Sequence, residues 1–179
     1  MVKFAGSSTE SFASELGYVL SEIDYTVKNL SRWLKPQRVK TAFFNLPAKS
    51  YWYREPYGTA CIISSWNYPA GLLLTPLVSA LAAGNTVVLK PSESAPAASR
   101  CIAEMVDKFF DPSVCFVCEG GADTVKYLFK KDIDIVFYTG GNSVGRSIYT
   151  MAADKMIPAI LELGGKNPCI IDADIDIPV

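Results

Sequence analysis

The chain has 179 residues, half of them hydrophobic, and a net charge of −1 from 17 basic and 18 acidic side chains. That length supports one substantial core, and the interspersed charge offers no basic track for a nucleic acid or an anionic membrane. Histidine is absent and there are five cysteines, which excludes Ser-His and Cys-His catalytic pairs and argues against a disulfide framework.

The first ten residues lack the basic start and apolar stretch of a secretory signal, so a cytoplasmic location is expected. Phe12, Leu16, Val19, Leu20, Ile23, Val27, Leu30 and Leu34 then recur at three- and four-residue spacing. This is the apolar stripe of a long amphipathic helix, which Pro36 ends. Two aromatic-rich runs follow, Thr41 to Leu46 and Ser50 to Arg54, separated by Pro47-Ala48-Lys49. They read as a β-hairpin arm, more suited to contact than to independent folding. Residues 1–55 thus form an N-terminal helix and hairpin.

From residue 56 to 179 the pattern is that of an α/β domain. Strand-like runs at Thr59 to Ser64, Thr86 to Lys90, Val114 to Cys118, Asp134 to Thr139 and Ala159 to Leu163 alternate with helix-length segments. Their near-continuous apolar character predicts a largely parallel sheet covered on both faces. The most apolar stretch, Ala70 to Leu89, is interrupted by Pro76 and Gly84-Asn85, so it reads as a helix, a turn and a strand rather than a membrane span. Cys115 and Cys118 form a Cys-x-x-Cys, but within a strand they point to opposite faces, and no second pair or histidine completes a metal shell. No metal is expected.

Ligands of such sheets sit at the carboxyl ends of the strands, and four motifs fall there. Ser65-Trp66-Asn67-Tyr68-Pro69 follows the first strand, with Pro69 placed as the first residue of the next helix. Asn67 is either a helix cap or an amide donor aimed at developing negative charge. Lys90-Pro-Ser-Glu93 closes the second strand; its cation and carboxylate either grip the vicinal hydroxyls of a ribose or form a solvated ion pair. The run Asp134 to Gly145 enters a helix through Gly140, Gly141 and Gly145. Those glycines would let the backbone turn sharply and approach a pyrophosphate at the helix N-terminus, or make only a tight turn. Glu162 leaves an apolar strand before Gly164-Gly165; burial would raise its pKa and suit it to general-base work, while a solvated carboxylate is the plainer alternative.

Taken in this order, Trp66-Asn67-Tyr68-Pro69, Lys90-Pro-Ser-Glu93, Thr139-Gly140 to Gly145 and Glu162-Leu-Gly-Gly-Lys166 resemble the aldehyde dehydrogenase superfamily. The helix Ser14 to Ile23 and the Trp-Asn-Tyr-Pro form most resemble its class 3, fatty-aldehyde-type branch. The resemblance covers nearly the whole chain and implies a Rossmann-like parallel sheet. It also implies NAD(P)-dependent oxidation of an aldehyde to a carboxylic acid through a cysteine thiohemiacetal.

On this resemblance Asn67 holds the oxyanion and Glu162 activates the hydrolytic water. Lys90 and Glu93 take the adenosine ribose, Gly140, Gly141 and Gly145 lie against the pyrophosphate, and Trp66, Tyr138 and Val144 border the same nucleotide. A carboxylate at Glu93 disfavours a 2′-phosphate, so NAD is expected, with NADP the alternative because the class 3 branch uses both. Many members carry Ser where this chain has Gly141. The hairpin resembles the arm through which members dimerise, implying a homodimer of the full-length form.

The nucleophilic cysteine of the family lies a few dozen residues beyond the Glu-Leu-Gly-Gly motif, and Cys169 is too close to Glu162 to take its place. The chain stops within 172–179, so the expectation is a fragment that holds two of three catalytic side chains and does not turn over alone. The alternatives are a non-catalytic nucleotide-binding or interaction module, and an inert chain that aggregates or captures partners.

Overall fold

The computed structural model describes residues 8–171, so the closing stretch 172–179 lies outside the described residues. The chain opens with a continuous helical run: α1 (Ser8–Ser11), a π-helical turn (Phe12–Leu16) and α2 (Gly17–Trp33). The π-turn is built around Gly17, whose N–H donates to the Phe12 carbonyl five residues back. A Cβ at Gly17 would stand 2.9 Å from that oxygen, so this position has room for hydrogen only. One extra residue in the turn rotates the stripe that follows.

Next come β1 (Gln37–Val39) and β2 (Ser50–Trp52), paired antiparallel with Val39 opposite Ser50. The hairpin is real, but its first arm is not Thr41 to Leu46. Those residues form the connection, with a 3₁₀ turn at Phe43–Asn45 closed by the Asn45 N–H to the Ala42 carbonyl and the Ala48 N–H to the Asn45 carbonyl. Thr41 Oγ1 accepts the Ser50 N–H at 3.0 Å and seals the ladder at that point. Phe43 and Phe44, 80% and 95% exposed, therefore stand on a loop.

The main body alternates strictly. It runs β3 (Thr59–Ile63), α3 (Gly71–Ala82), β4 (Thr86–Lys90), α4 (Pro96–Phe109), β5 (Cys115–Val117), α5 (Ala122–Leu128), β6 (Ile135–Gly140), α6 (Asn142–Asp154) and β7 (Ala159–Leu163). All five strands are parallel, in the order β5-β4-β3-β6-β7. The chain builds outward from β3 to β5, then returns to the other side of β3. That reversal puts a topological switch point between β3 and β6, where ligands of open parallel sheets bind.

Both faces of the sheet are apolar because successive side chains point to opposite sides. Ala60, Ile62, Val87, Leu89 and Cys115 pack with Leu73, Leu74, Leu77, Ile102 and Val106 of α3 and α4, and with Val19 of α2. Cys61, Ile63, Val88, Val136 and Tyr138 pack with Val125 and Leu128 of α5 and Ile148 and Ala152 of α6. Cys115 and Cys118 belong to opposite faces, as their spacing in a strand demands. Among the described residues no helix is long and apolar enough to cross a membrane.

The helical run is tied to the sheet domain by a buried carboxylate as well as by the packing of its stripe on α3. Glu15, 4% exposed, points its carboxylate into the start of α3, where Oε2 accepts the Ala70 N–H at 2.8 Å and the Gly71 N–H at 3.0 Å. The helix has no side-chain cap of its own, so a residue 55 positions away satisfies its first amides and opposes the positive end of its dipole. The apolar stripe is only partly covered: Val19 is buried, while Phe12, Leu20 and Val27 are exposed along a groove of 650 Å³ against α3.

Two predictions follow from this packing. Glu15→Ala leaves two helix-end amides unpaired and is expected to cost about 2 kcal/mol, lowering the thermal midpoint by roughly 4–8 °C; an unchanged midpoint in a thermal melt would dismiss the cap. Burial pushes the Cys61 thiol up to about 12, reinforced by Cys118 nearby, and the Cys115 thiol up to about 11. A thiol reagent at pH 8 should therefore label exposed Cys169 first and reach Cys61 and Cys115 only after unfolding, as read by mass spectrometry.

Candidate functional site

The carboxyl edge of the sheet carries every motif singled out in the sequence. After β3 the chain makes a tight excursion, Ser65 to Ala70, before entering α3. Ser65 Oγ donates to Asn67 Oδ1 at 2.5 Å, which leaves the amide Nδ2 to point elsewhere. Tyr68 adopts a left-handed conformation, φ 52°, uncommon for an aromatic residue. It is pinned by the Leu72 N–H bonding to the Tyr68 carbonyl at 3.0 Å and by the Glu15 cap two residues on. Pro69 stands two residues ahead of Gly71, the first residue of α3, inside the turn that the Leu72 N–H closes on the Tyr68 carbonyl. Asn67 is therefore not the cap of α3; Glu15 is.

Asn67 and Glu162 meet across the switch point. Both line one open cavity of 820 Å³ on the face that carries α3, together with Thr139, Phe137, Thr75 and Gly164. Glu162 stands in register with Thr139 on the neighbouring strand. Its side chain is exposed on the edge strand, so the burial expected from the flanking leucines is absent: Leu161 packs against the core, but Leu163 is itself 45% exposed. Two further lining residues, Ser14 and Tyr18, come from the N-terminal helical run. Sequence spacing cannot reveal them, since they reach the cavity only because Glu15 draws their turn against α3. No cysteine lines this cavity.

At the end of β4, Lys90 is 3% exposed and its Nζ lies 2.6 Å from Glu93 Oε2. The hydrogen bond from Lys90 holds the Glu93 carboxyl below the ordinary carboxylate range, helped by a backbone bond. The pair is thus intact above that lowered pKa and lost only when acid titrates Glu93 through it. Its two members differ in access: the lysine side chain is 4% exposed, the glutamate 56%. Gly121, which precedes α5, passes close to Glu93, a Cβ there standing 3.8 Å from Oε1. Just beyond β5, Glu119 accepts a hydrogen bond from buried Ser99 at 2.5 Å.

The glycine-rich turn after β6 departs from the conformation its glycines suggest. None of Gly140, Gly141 and Gly145 has a positive φ, whereas Gly58, Gly84, Gly120 and Gly165 do. Gly141 sits at the N-cap of α6 in extended conformation, φ −75° and ψ 150°, and a Cβ there would meet nothing within 4 Å. The helix opens without a side-chain cap, so its first amide N–H groups have no intrahelical acceptor. Val144 is 53% exposed in that first turn, and Trp66 is 61% exposed beside Asn67. Tyr138 lies beneath the turn, 5% exposed, its hydroxyl donating to the Gly141 carbonyl at 3.2 Å. Among the described residues no group of three or more Cys, Asp or Glu side chains forms a metal cage.

This edge therefore offers an amide donor and a carboxylate in one cavity, a buried cation with an accessible carboxylate, and an uncapped helix N-terminus. Residues 1–179 match the model of the aldehyde dehydrogenase family. The chain is 40% identical over 173 residues to a 4,4′-diaponeurosporen-aldehyde dehydrogenase of Staphylococcus aureus, covering 97% of this chain and 38% of that protein. It is 39% identical over 170 residues to aldehyde dehydrogenase family 3 member H1 of Arabidopsis thaliana, covering 95% and 35%. The fold superposes on the substrate-bound state of Staphylococcus aureus AldH with a TM-score of 0.85 and 41% identity, over 92% of this chain and 36% of the other. A Mycobacterium tuberculosis aldehyde dehydrogenase complexed with NAD⁺ superposes with a TM-score of 0.72 and 31% identity, over 83% and 30%. The chain spans little more than a third of the length of these curated relatives. With a family model matched along its whole length and family 3 members among its relatives, the chain belongs to the aldehyde dehydrogenase family.

Proposed function

We propose that this chain is the nucleotide-binding portion of an NAD(P)-dependent aldehyde-oxidising enzyme, and that it supplies two of the catalytic side chains. The observation that carries this reading is the convergence of Asn67 and Glu162 on one cavity at the switch point. In this reading the Asn67 amide donates to an oxygen on which negative charge develops. The exposed Glu162 carboxylate takes a proton from water entering the same cavity.

Three features of the edge fit a dinucleotide. The uncapped N-terminus of α6 presents amide donors suited to a pyrophosphate. Gly141 leaves the approach to those amides open. The Lys90–Glu93 pair offers a donor and an acceptor for adjacent hydroxyls, and Ser64 Oγ is buried without a partner at the neighbouring end of β3. Lys90, Glu93 and the first turn of α6 would hold the nucleotide, with Trp66 and Val144 at its margins. When bound, it supplies the hydride acceptor for aldehyde oxidation. Because Lys90 keeps Glu93 ionised, a 2′-phosphate meets a carboxylate at the ribose position; we therefore place NAD ahead of NADP.

Catalysis also needs a thiolate, and the cavity holds none. We assign the nucleophile to sequence outside this chain, the substrate to the aldehyde class, and the exposed arm around Phe43 and Phe44 to contact with a second subunit of the full-length protein.

Calorimetric titration of the 179-residue chain with NAD should give saturable binding, weakened about tenfold in Lys90→Ala. A flat titration of folded protein would overturn the nucleotide reading. With a medium-chain aldehyde and NAD the same chain should produce no NADH, and measurable turnover would show that the nucleophile lies within it. Gly141→Ser should be accepted sterically and place a cap hydroxyl at α6, raising stability by about 0.5–1 kcal/mol. A thermal midpoint below that of the parent would contradict the open space seen at this position.

A further inference from the structure

Accepting the nucleotide site as proposed, we infer that Tyr138 is its positioning residue. The ring fills the space beneath Gly140 and Gly145 and the hydroxyl clamps the Gly141 carbonyl, so that the first amides of α6 are held in one orientation toward the ligand.

Tyr138 and Gly140 are two residues apart on β6 and share a face of the sheet. The ring leans along the strand and covers that face: a Cβ at Gly140 would lie 2.2 Å from Tyr138 Oη and 2.6 Å from Cζ. A Cβ at Gly145, one turn into α6, would lie 3.2 Å from Tyr138 Cε1 and 2.6 Å from Leu163 Cδ2. Backbone conformation does not demand glycine at either place, since neither φ is positive. The demand comes from the tyrosine at Gly140, and from Leu163 together with the tyrosine at Gly145. Gly140 is therefore the complement of the aromatic ring, Gly145 borders it, and Gly141 receives its hydroxyl.

The ring is anchored well enough to act as a reference. It stands in register with Ile63 on β3 and Leu161 on β7, packs in the core with Val136 and Ile148, and is 5% exposed. Burial raises the phenol's pKa above its ordinary value, so the hydroxyl remains a donor at neutral pH. Its bond to Gly141 orients the peptide immediately ahead of α6, and the orientation of that peptide sets where the following amides point. In this role Tyr138 acts on the nucleotide through the loop, by way of the Gly141 carbonyl.

The test is calorimetry on the full chain with NAD and, in parallel, with adenosine, which has no phosphate. Tyr138→Phe keeps the ring and removes only the clamp. It should bind NAD roughly fivefold more weakly, bind adenosine as the parent does, and melt within a few degrees of it. Equal NAD affinity in parent and variant overturns the positioning role, as does a parallel loss for adenosine or a collapse of the fold. If the parent binds neither ligand, the nucleotide reading itself fails and this role falls with it. A second arm uses the glycine: Gly140→Ala in the parent should lower NAD affinity at least tenfold, but less than twofold when added to Tyr138→Val, where the ring is gone. Equal losses in the two backgrounds overturn the claim that the ring dictates glycine at that position.

Discussion

A buried carboxylate, set beside the packing of α2 on α3, fastens the N-terminal helical run to the sheet domain. Glu15 leaves a π-helical turn near the start of the chain and closes the N-terminus of α3 on the first strand-to-helix connection of the sheet. Its burial is tolerable because the acceptor meets two amides and the positive end of a helix. Everything on the α3 side of the site follows from that contact. The excursion from Ser65 to Ala70 is fixed at its far end, Tyr68 is held at positive φ, and Ser14 and Tyr18 are brought to the cavity that Asn67 and Glu162 share. Without it, the N-terminal run would rest on a stripe whose residues are largely solvent-facing.

The opposite side of the edge follows another logic. There the sheet ends in a tyrosine that packs inward and a pair of charges that differ in access, and the ligand-facing surface is mostly backbone. On the function proposed above, side chains on the α3 side serve bond-making chemistry, while the α6 side offers main-chain donors to a pyrophosphate and one ion pair to the adjoining hydroxyls. The switch point lets both functions meet because the strands bearing them, β3 and β6, are neighbours.

Much of this was legible in the residues. The mainly aliphatic runs at Thr86–Lys90 and Ala159–Leu163 coincide with β4 and β7; β4, buried along nearly its whole length, is the clearer signal, while β7 lies at the sheet edge with Glu162 exposed. Opposite facing of Cys115 and Cys118 follows from strand periodicity alone. Less visible was the hairpin: Gln37-Arg38-Val39 carries no aromatic signal, and the conspicuous Phe43 and Phe44 lie on the loop because the Ser50 amide is captured by Thr41. Glu15 was invisible because its partners are 55 positions away. For the glycines after β6, composition reports only that a side chain is missing, and the structure shows that space rather than torsion excludes one at Gly140 and Gly145.

Gly141 illustrates a wider consequence of how that turn is built. Its neighbours are constrained from beneath by an aromatic ring, yet its own Cβ direction is empty and its torsions are open to any residue. Scaffold and recognition are thereby separated at adjacent positions: one set of residues maintains the shape, and one position varies without disturbing it. On the nucleotide reading proposed above, a hydroxyl, methyl or hydrogen at Gly141 would retune cofactor retention while the fold stays intact. This local independence gives the turn a route to evolve that its buried neighbours, Tyr138 and Gly145, do not have.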